Sequence, residues 1–353
     1  MSHFTVLVIG DDPEEQLAPF HEFECTGNDD QYVQDIDETA ELWEKYNKET
    51  STCLRDSEGK LHSFFDEDGN WKEKFSIPDT RDSFGHRRTY FTPNGYEKVD
   101  VPTPQIQSFT DFIEGWSGQT VVPFGKSPDL EKEHKYGYVL VDEAGNVTKV
   151  IDRTNPNKKW DWYQLGGRWT GFFQLKQGTR GKTGKPGFMT PQAEVGFADQ
   201  ARKRDIDFEA MRNEAAETAR EDYRDFHLLI GDLPKPESWS TIRDRYEPDY
   251  ATARNVYGEQ IVVRLLQNSE KFRWEDNPER YFVTEDEFAQ SARDSAISTF
   301  AVLKDGQWYE RGSMGWWGCV SDEKEQGNWD REFSKLLDEV DNNTLLSVYD
   351  CHI

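Results

Sequence analysis

Cysteine, positive charge and long apolar runs are all scarce in this chain, and each shortage removes a class of protein. Four cysteines in 353 residues (Cys25, Cys53, Cys319, Cys351) form no CxxC pair and no zinc-ligand spacing. That excludes a disulfide-built scaffold and makes free thiols in a reducing cytosol the expectation. No stretch reaches the roughly 18–20 apolar residues that cross a bilayer, so no membrane partner is expected. The opening HFTVLVIG reads directly as a strand, with no basic region or cleavage site, so no signal peptide is expected. GxSxG, HExxH, strand–helix GxGxxG and EF-hand patterns are absent. The GKT at 181–183 is not a P-loop, because Lys176 stands where that motif needs glycine.

The cation shortage is uneven. Lys and Arg number 42 against 68 Asp and Glu, a net charge of -26. Residues 1–58 hold 16 acids against Lys45, Lys48 and Arg55, so 3 minus 16 leaves -13 in about a sixth of the length. Phosphate binding depends on cationic neutralisation, so no direct nucleic-acid partner is expected. The segment reads as a solvated acidic surface, a docking face for a basic host protein, or a DNA mimic.

Aromatic residues are plentiful at 14 %, which argues for a folded chain despite 31 % charged residues. His3–Gly10 reads as a buried strand, and LLSVYDCHI closes the chain as another. Asp37–Lys48 and the segment from Ser108 read as helices, the latter capped through Asp111 and striped by Phe109, Phe112, Ile113 and Trp116. Between 52 and 101, turn signals such as Glu67–Asn70 and Pro93–Gly95 mark hairpins, and Glu143–Asn146 marks another. Arg204–Ile230 is the longest helix, shorter helices follow over 236–280, and Thr284–Glu287 is a capping box. Phe300–Leu303 and Gln307–Glu310 form a hairpin, and Asn328 caps a last helix. The fold class is α+β: an antiparallel sheet with adjacent first and last strands, a ferredoxin-like element, and a large helical insertion. Residues 1–200 and 299–353 form the expected core, and 201–298 the helical insertion or subdomain.

Two aromatic stretches carry candidate chemistry. KWDWYQLGGRWTG at 159–171 puts Trp160, Trp162, Trp169 and Arg168 around a Gly-Gly pair read as a bulge or turn. Trp316 and Trp317 lie in MGWWG at 314–318. Such rings stack a nucleobase or pack a sheet against its core. Arg168 begins the one locally basic segment, a mobile glycine-rich loop with Arg180, Lys182 and Lys185 suited to phosphate. At the chain ends, antiparallel pairing sets His3 beside His352, with Asp350 on the same face two residues back. Two imidazoles and a carboxylate perform acid–base work or hold a divalent metal. His21 and Glu22 join that set if their loop folds over the sheet edge.

MSHFTVLVIG, QLAPFHEFE, VIDRTNPNKKWDWYQLGGRWTG, ISTFAVLKDGQWYERGSMGWWG and DCHI together resemble a family of uncharacterised proteins encoded by tailed bacteriophages and some bacteria. The resemblance spans most of the chain and carries no catalytic residue. It implies an accessory protein of the host bacterial cytoplasm, in a setting where counter-defence factors bind or destroy nucleotide immune signals. Three readings follow: a protein that captures or hydrolyses a nucleotide-type ligand, alone or as a homo-oligomer; an acidic protein–protein inhibitor acting through 1–58; and a structural protein whose motifs are all core.

Overall fold

The computed structural model describes residues 2–64, 75–78, 88–117, 119–315 and 318–353. The Glu67–Asn70 turn, the Trp116 side chain, and Trp316 and Trp317 lie outside the described residues. The chain divides into two compact units, one of Met1–His21 with Lys159–Ile353 and one of Glu22–Lys158. The expected 1–200 segment is thus divided at two points. Residues 201–298, expected as an insertion, stay within the first unit and carry its helices from Phe208 to Ser295.

The first unit is built on a mixed sheet around β1 (His3–Ile9), a run apolar enough to be buried on both faces. β1 pairs antiparallel with the last strand, so that His3 faces His352 and Thr5 faces Asp350. We label the sheet strands β2 (Trp162–Gly167), β3 (Lys185–Pro186), β4 (Gln200–Arg202), β5 (Ala301–Lys304), β6 (Gln307–Glu310) and β7 (Leu345–His352). The order is β3-β2-β7-β1-β5-β6, with β4 also on β7. β1 runs parallel to β5. The ferredoxin-like expectation is therefore met at the β1–β7 pair and departed from at β5, where a wholly antiparallel sheet would not run parallel. Asp305 and Gly306, with φ of 52° and 72°, make the tight β5–β6 turn, as their dipeptide signals.

Strand alternation splits the core in two. Leu7, Ile9, Leu346 and Val348 face one side, against Trp329, Phe333, Leu336 and Leu337. Those four come from α3 (Gln326–Asp338), whose Trp329 Nε1 donates to the Thr299 carbonyl at 2.7 Å. The helix begins slightly before the expected Asn328. Phe4, Val6, Val8, Tyr349 and Cys351 face the other side, with Leu17, Phe20 and Trp160. Burying a side chain of this size contributes about 1.5–3 kcal/mol, and a slip by one residue would exchange the two sets between faces whose partners are shaped for the other. α1 (Phe208–Ile230) is capped by Asp207, and α2 (Glu285–Ser295) carries the expected capping box.

The second unit has a four-stranded sheet of Gln34–Asp37, Val147–Thr154, Gly137–Val141 and Thr120–Val122, and a three-stranded one centred on Thr50–Asp56. Helices Thr39–Lys48 and Phe109–Ser117 bring Leu42, Tyr46, Phe112 and Ile113 onto Val139 and Val150. Ser108 and Asp111 cap each other reciprocally, as the sequence signals. Arg153 ties the unit together. Its side chain is 8 % exposed, bonds Asp29 and Asp35 and the Lys135 carbonyl, and lies over the Phe23 ring. Its pKa is raised: burial opposes the charge, and the hydrogen bonds and charges of Asp29 and Asp35 outweigh it. Arg153→Ala removes the cation and leaves two acids facing each other. It should destabilise this unit by about 2–4 kcal/mol in denaturant unfolding.

Candidate functional site

At the open end of the β1–β7 pair, one row across three strands holds Trp162, His352 and His3. The imidazole centroids of His3 and His352 are 4.9 Å apart, edge to face, and the Trp162 ring stands 6.2 Å from His3. Each histidine has its own carboxylate. His3 Nδ1 lies 2.8 Å from Asp350 Oδ1, and His352 Nδ1 lies 2.6 Å from Asp161 Oδ1. An ionised carboxylate only accepts, so each Nδ1–H donates and each Nε2 is the nitrogen left for chemistry. The sequence reading places His3, His352 and Asp350 together, and so does the structure. It misses Asp161. The signal for it is slight: one acid between two tryptophans, whose amide also donates to the His352 carbonyl at 2.9 Å.

Asp350 is 1 % exposed, and both its oxygens are engaged. Oδ1 takes His3, and Oδ2 accepts the Arg168 backbone N–H at 2.9 Å. To bring that amide in, the chain turns sharply at Gly166 and Gly167, whose φ values are 75° and 56°. A Cβ on Gly167 would lie 2.3 Å from Asp350 Cβ, and one on Gly166 would lie 2.5 Å from Asp199 Oδ2. The Gly-Gly pair is therefore the place where two carboxylates meet a turn, rather than a bulge inside a continuing strand. Asp199 is fully buried and accepts from Thr170 Oγ1 and from the amides of Gly171, Phe172 and Gly184. Sequence reasoning missed it as well.

The expected metal set does not assemble as such. Among the described residues His3, His352 and Asp350 do not offer three ligand atoms to one point. The reason is geometric, since both Asp350 oxygens are spent on donors. Cys351, between Asp350 and His352, is no nucleophile. Strand parity turns it to the opposite face, where burial, then the charge of Asp350, pushes its thiol pKa well up.

The other expected residues scatter. Arg168 is exposed, and its amide sits on the site through Asp350. Lys185 is exposed on β3, which pairs with Gly166 and Gly167. Trp160 is 7 % exposed and packs in the opposite face with Tyr163, its Nε1 donating to the Leu17 carbonyl. The chain bends at Asp161, which breaks the alternation that would put Trp160 and Trp162 on one side. Trp169 is half-buried in the turn after the glycines. His21 is buried beside Trp160, and Glu22 falls in the second compact unit. Lys182 lies in a cleft of about 670 Å³ with Asp11, Glu14, Glu15 and Arg202, at the opposite end of β7, near Leu345. Arg180 is exposed nearby. The glycine-rich loop is packed rather than free. Gly184 lies so close to β2 that a Cβ would sit 1.8 Å from the Leu165 carbonyl oxygen, and Gly187 N donates to Gly167 O at 2.7 Å.

Many acids of 1–58 are also engaged. Asp11 pairs with Arg202, Glu24 with Lys158 and Thr154, Asp29 and Asp35 with Arg153, and Asp56 with His62. A larger cleft of about 1110 Å³ between α2 and α3 is lined by Glu287, Asp294, Asp338 and Glu339, with no convergent acid–base pair.

Gly167→Ala tests whether the turn serves Asp350. The new methyl must displace that carboxylate, in a backbone region that already disfavours side chains. The expected loss is about 3 kcal/mol or more in chemical denaturation. Gly59→Ala, at φ 84° with nothing within 4 Å, should lose about 1–2 kcal/mol from the backbone alone.

No family model matches the chain, and neither a curated protein nor a solved structure similar to it was found.

Proposed function

We propose that this protein is a general acid–base enzyme that binds a nucleotide-type ligand and hydrolyses a phosphodiester bond in it. The observation that carries the reading is the pair of Asp–His dyads, His3–Asp350 and His352–Asp161, with imidazoles 4.9 Å apart. In the proposed step one neutral Nε2 takes a proton from water as its oxygen forms a bond to phosphorus. The other imidazole, protonated, gives its proton to the oxygen whose bond to phosphorus breaks. The products are a phosphomonoester and an alcohol, and the two histidines end with exchanged protonation states. Asp350 and Asp161 hold the reacting tautomers and face the imidazolium that forms, the role such a carboxylate plays beside a catalytic histidine.

Trp162, 45 % exposed beside His3, offers a stacking surface for a base. Arg168 supplies a guanidinium for a phosphoryl oxygen, with Lys185 on the neighbouring strand. The resemblance to phage-encoded proteins supplies the setting of the proposal, in which the ligand is a nucleotide immune signal of the infected bacterium. Capture without turnover is the variant in which the same groups only bind.

The test incubates the purified protein with a panel of cyclic oligonucleotides and NAD derivatives, then identifies ligand both in solution and after heat release. Altered ligand is the expected result; unaltered ligand released by heat means capture alone. His3→Ala and His352→Ala should each lower kcat by about 10²–10⁴, the usual worth of a positioned acid or base. Arg168→Ala should act mainly on KM. Turnover that survives both histidine substitutions removes the dyads from the chemistry. Loss of turnover with a chelator, and recovery with added zinc, would make the imidazoles ligands instead.

A further inference from the structure

The segment that lies against Arg168 ends in an exposed apolar tip. Gly187 N donates to Gly167 O at 2.7 Å, and a Cβ on Gly187 would meet the Arg168 amide at 2.9 Å. The next two residues, Phe188 and Met189, are 92 % and 88 % exposed. Met189 holds φ at 61°, a left-handed backbone that a non-glycine residue rarely adopts. The base of the tip is firmly held. Asp199 grips Gly184 before it, Gly171 packs on Ala193 within it, and Leu175 N bonds Gly196 O after it. Two large apolar side chains thus stand in water on a rigid mount, in a strained backbone, next to the guanidinium proposed for phosphate. Nothing in the packing of the first unit uses them, and folding alone would favour their burial.

The imidazole pair thus has an aromatic ring beside it and, through Asp350, the turn against which the segment carrying the tip is held. Trp162 stands on the β2 side in the row of His352 and His3. The Arg168 turn and the Phe188–Met189 tip stand on the Asp350 side, two residues along β7. We propose that the substrate is a phosphodiester with a flat base on each side of phosphorus, one stacked on Trp162 and the other against Phe188 and Met189. This rests on the acid–base reading of the dyads and names the substrate class for that same site. The charge agrees with it: a diester brings one negative charge per phosphorus, which the Arg168 guanidinium matches.

Two diesters separate the two layers of the argument. Adenylyl-(3′,5′)-adenosine has a base on both sides, and the methyl ester of adenosine 3′-phosphate has one. Wild-type protein should show a kcat/KM about five- to 150-fold higher for the two-base diester, the size expected from one added stacking contact. The double variant Phe188→Ala, Met189→Ala should bring that ratio close to one, with the change in KM. Phe188→Trp should keep the preference, and a thermal midpoint within a few degrees of wild type should accompany all variants, because the replaced side chains are exposed. Equal kcat/KM for the two diesters in wild type, or a ratio unmoved by the double variant, overturns the two-base inference and leaves the acid–base reading standing. Turnover of neither diester by wild type, with no binding of either in calorimetry, overturns both.

Discussion

The carboxylate of Asp350 is the constraint on which the rest of the site depends. It is almost wholly shielded from water, and an ionised group there is tolerable only if its lone pairs are met. One oxygen is met by His3, brought over by the antiparallel pairing of the first and last strands. The other is met by the Arg168 amide, which requires the chain to turn back over the strand it has just left. That turn fits only because residue 167 has no side chain. Three features that look independent in the sequence, a histidine near one end, a DCHI run near the other and a glycine pair, are thus answers to a single demand for hydrogen bonds.

A second carboxylate repeats the logic one layer out. Asp199 collects the Thr170 hydroxyl and three amides, from Gly171, Phe172 and Gly184. By doing so it fixes the chain just after the Gly-Gly turn and holds the glycine-rich segment against β2. The loop is rich in glycine because backbone meets backbone there, at Gly184 on Leu165 and Gly187 on Arg168, and any Cβ would collide.

What could be read from the sequence follows from this. Strand parity is a local, periodic property and sets His352 and Asp350 on one face, whereas bringing His3 to them across 347 residues takes the ferredoxin-like pairing of first and last strands. The helix caps at Ser108 and Thr284 and the Asp305-Gly306 turn are equally local. Asp161 and Asp199 could not be found this way, because their partners are 191 and up to 29 residues away and no period links them. The tryptophans misled for a related reason. Trp160 and Trp162 share parity, yet the bend at Asp161 sends one to the core and leaves the other beside His3. The division at 22–158 has no compositional mark either, since the chain leaves and re-enters the first unit without a glycine- or proline-rich linker.

The acidity of the whole chain does not argue against an anionic ligand at this place. At physiological ionic strength exposed charges are largely screened beyond about 8 Å, so the surrounding few groups decide the potential a phosphate meets. With one imidazole protonated, as the proposed step requires, Arg168, Lys185 and the imidazolium contribute three positive charges against the three carboxylates Asp350, Asp161 and Asp199, and the sum over these groups is zero. Asp350 and Asp161 are also less available, because each has an oxygen occupied by an imidazole N–H and Asp350 faces no solvent. The proton taken up by one histidine as the other gives its own away keeps an imidazolium in the site while charge gathers on the phosphoryl oxygens. The same dyads that move the proton therefore also set the electrostatics of the step.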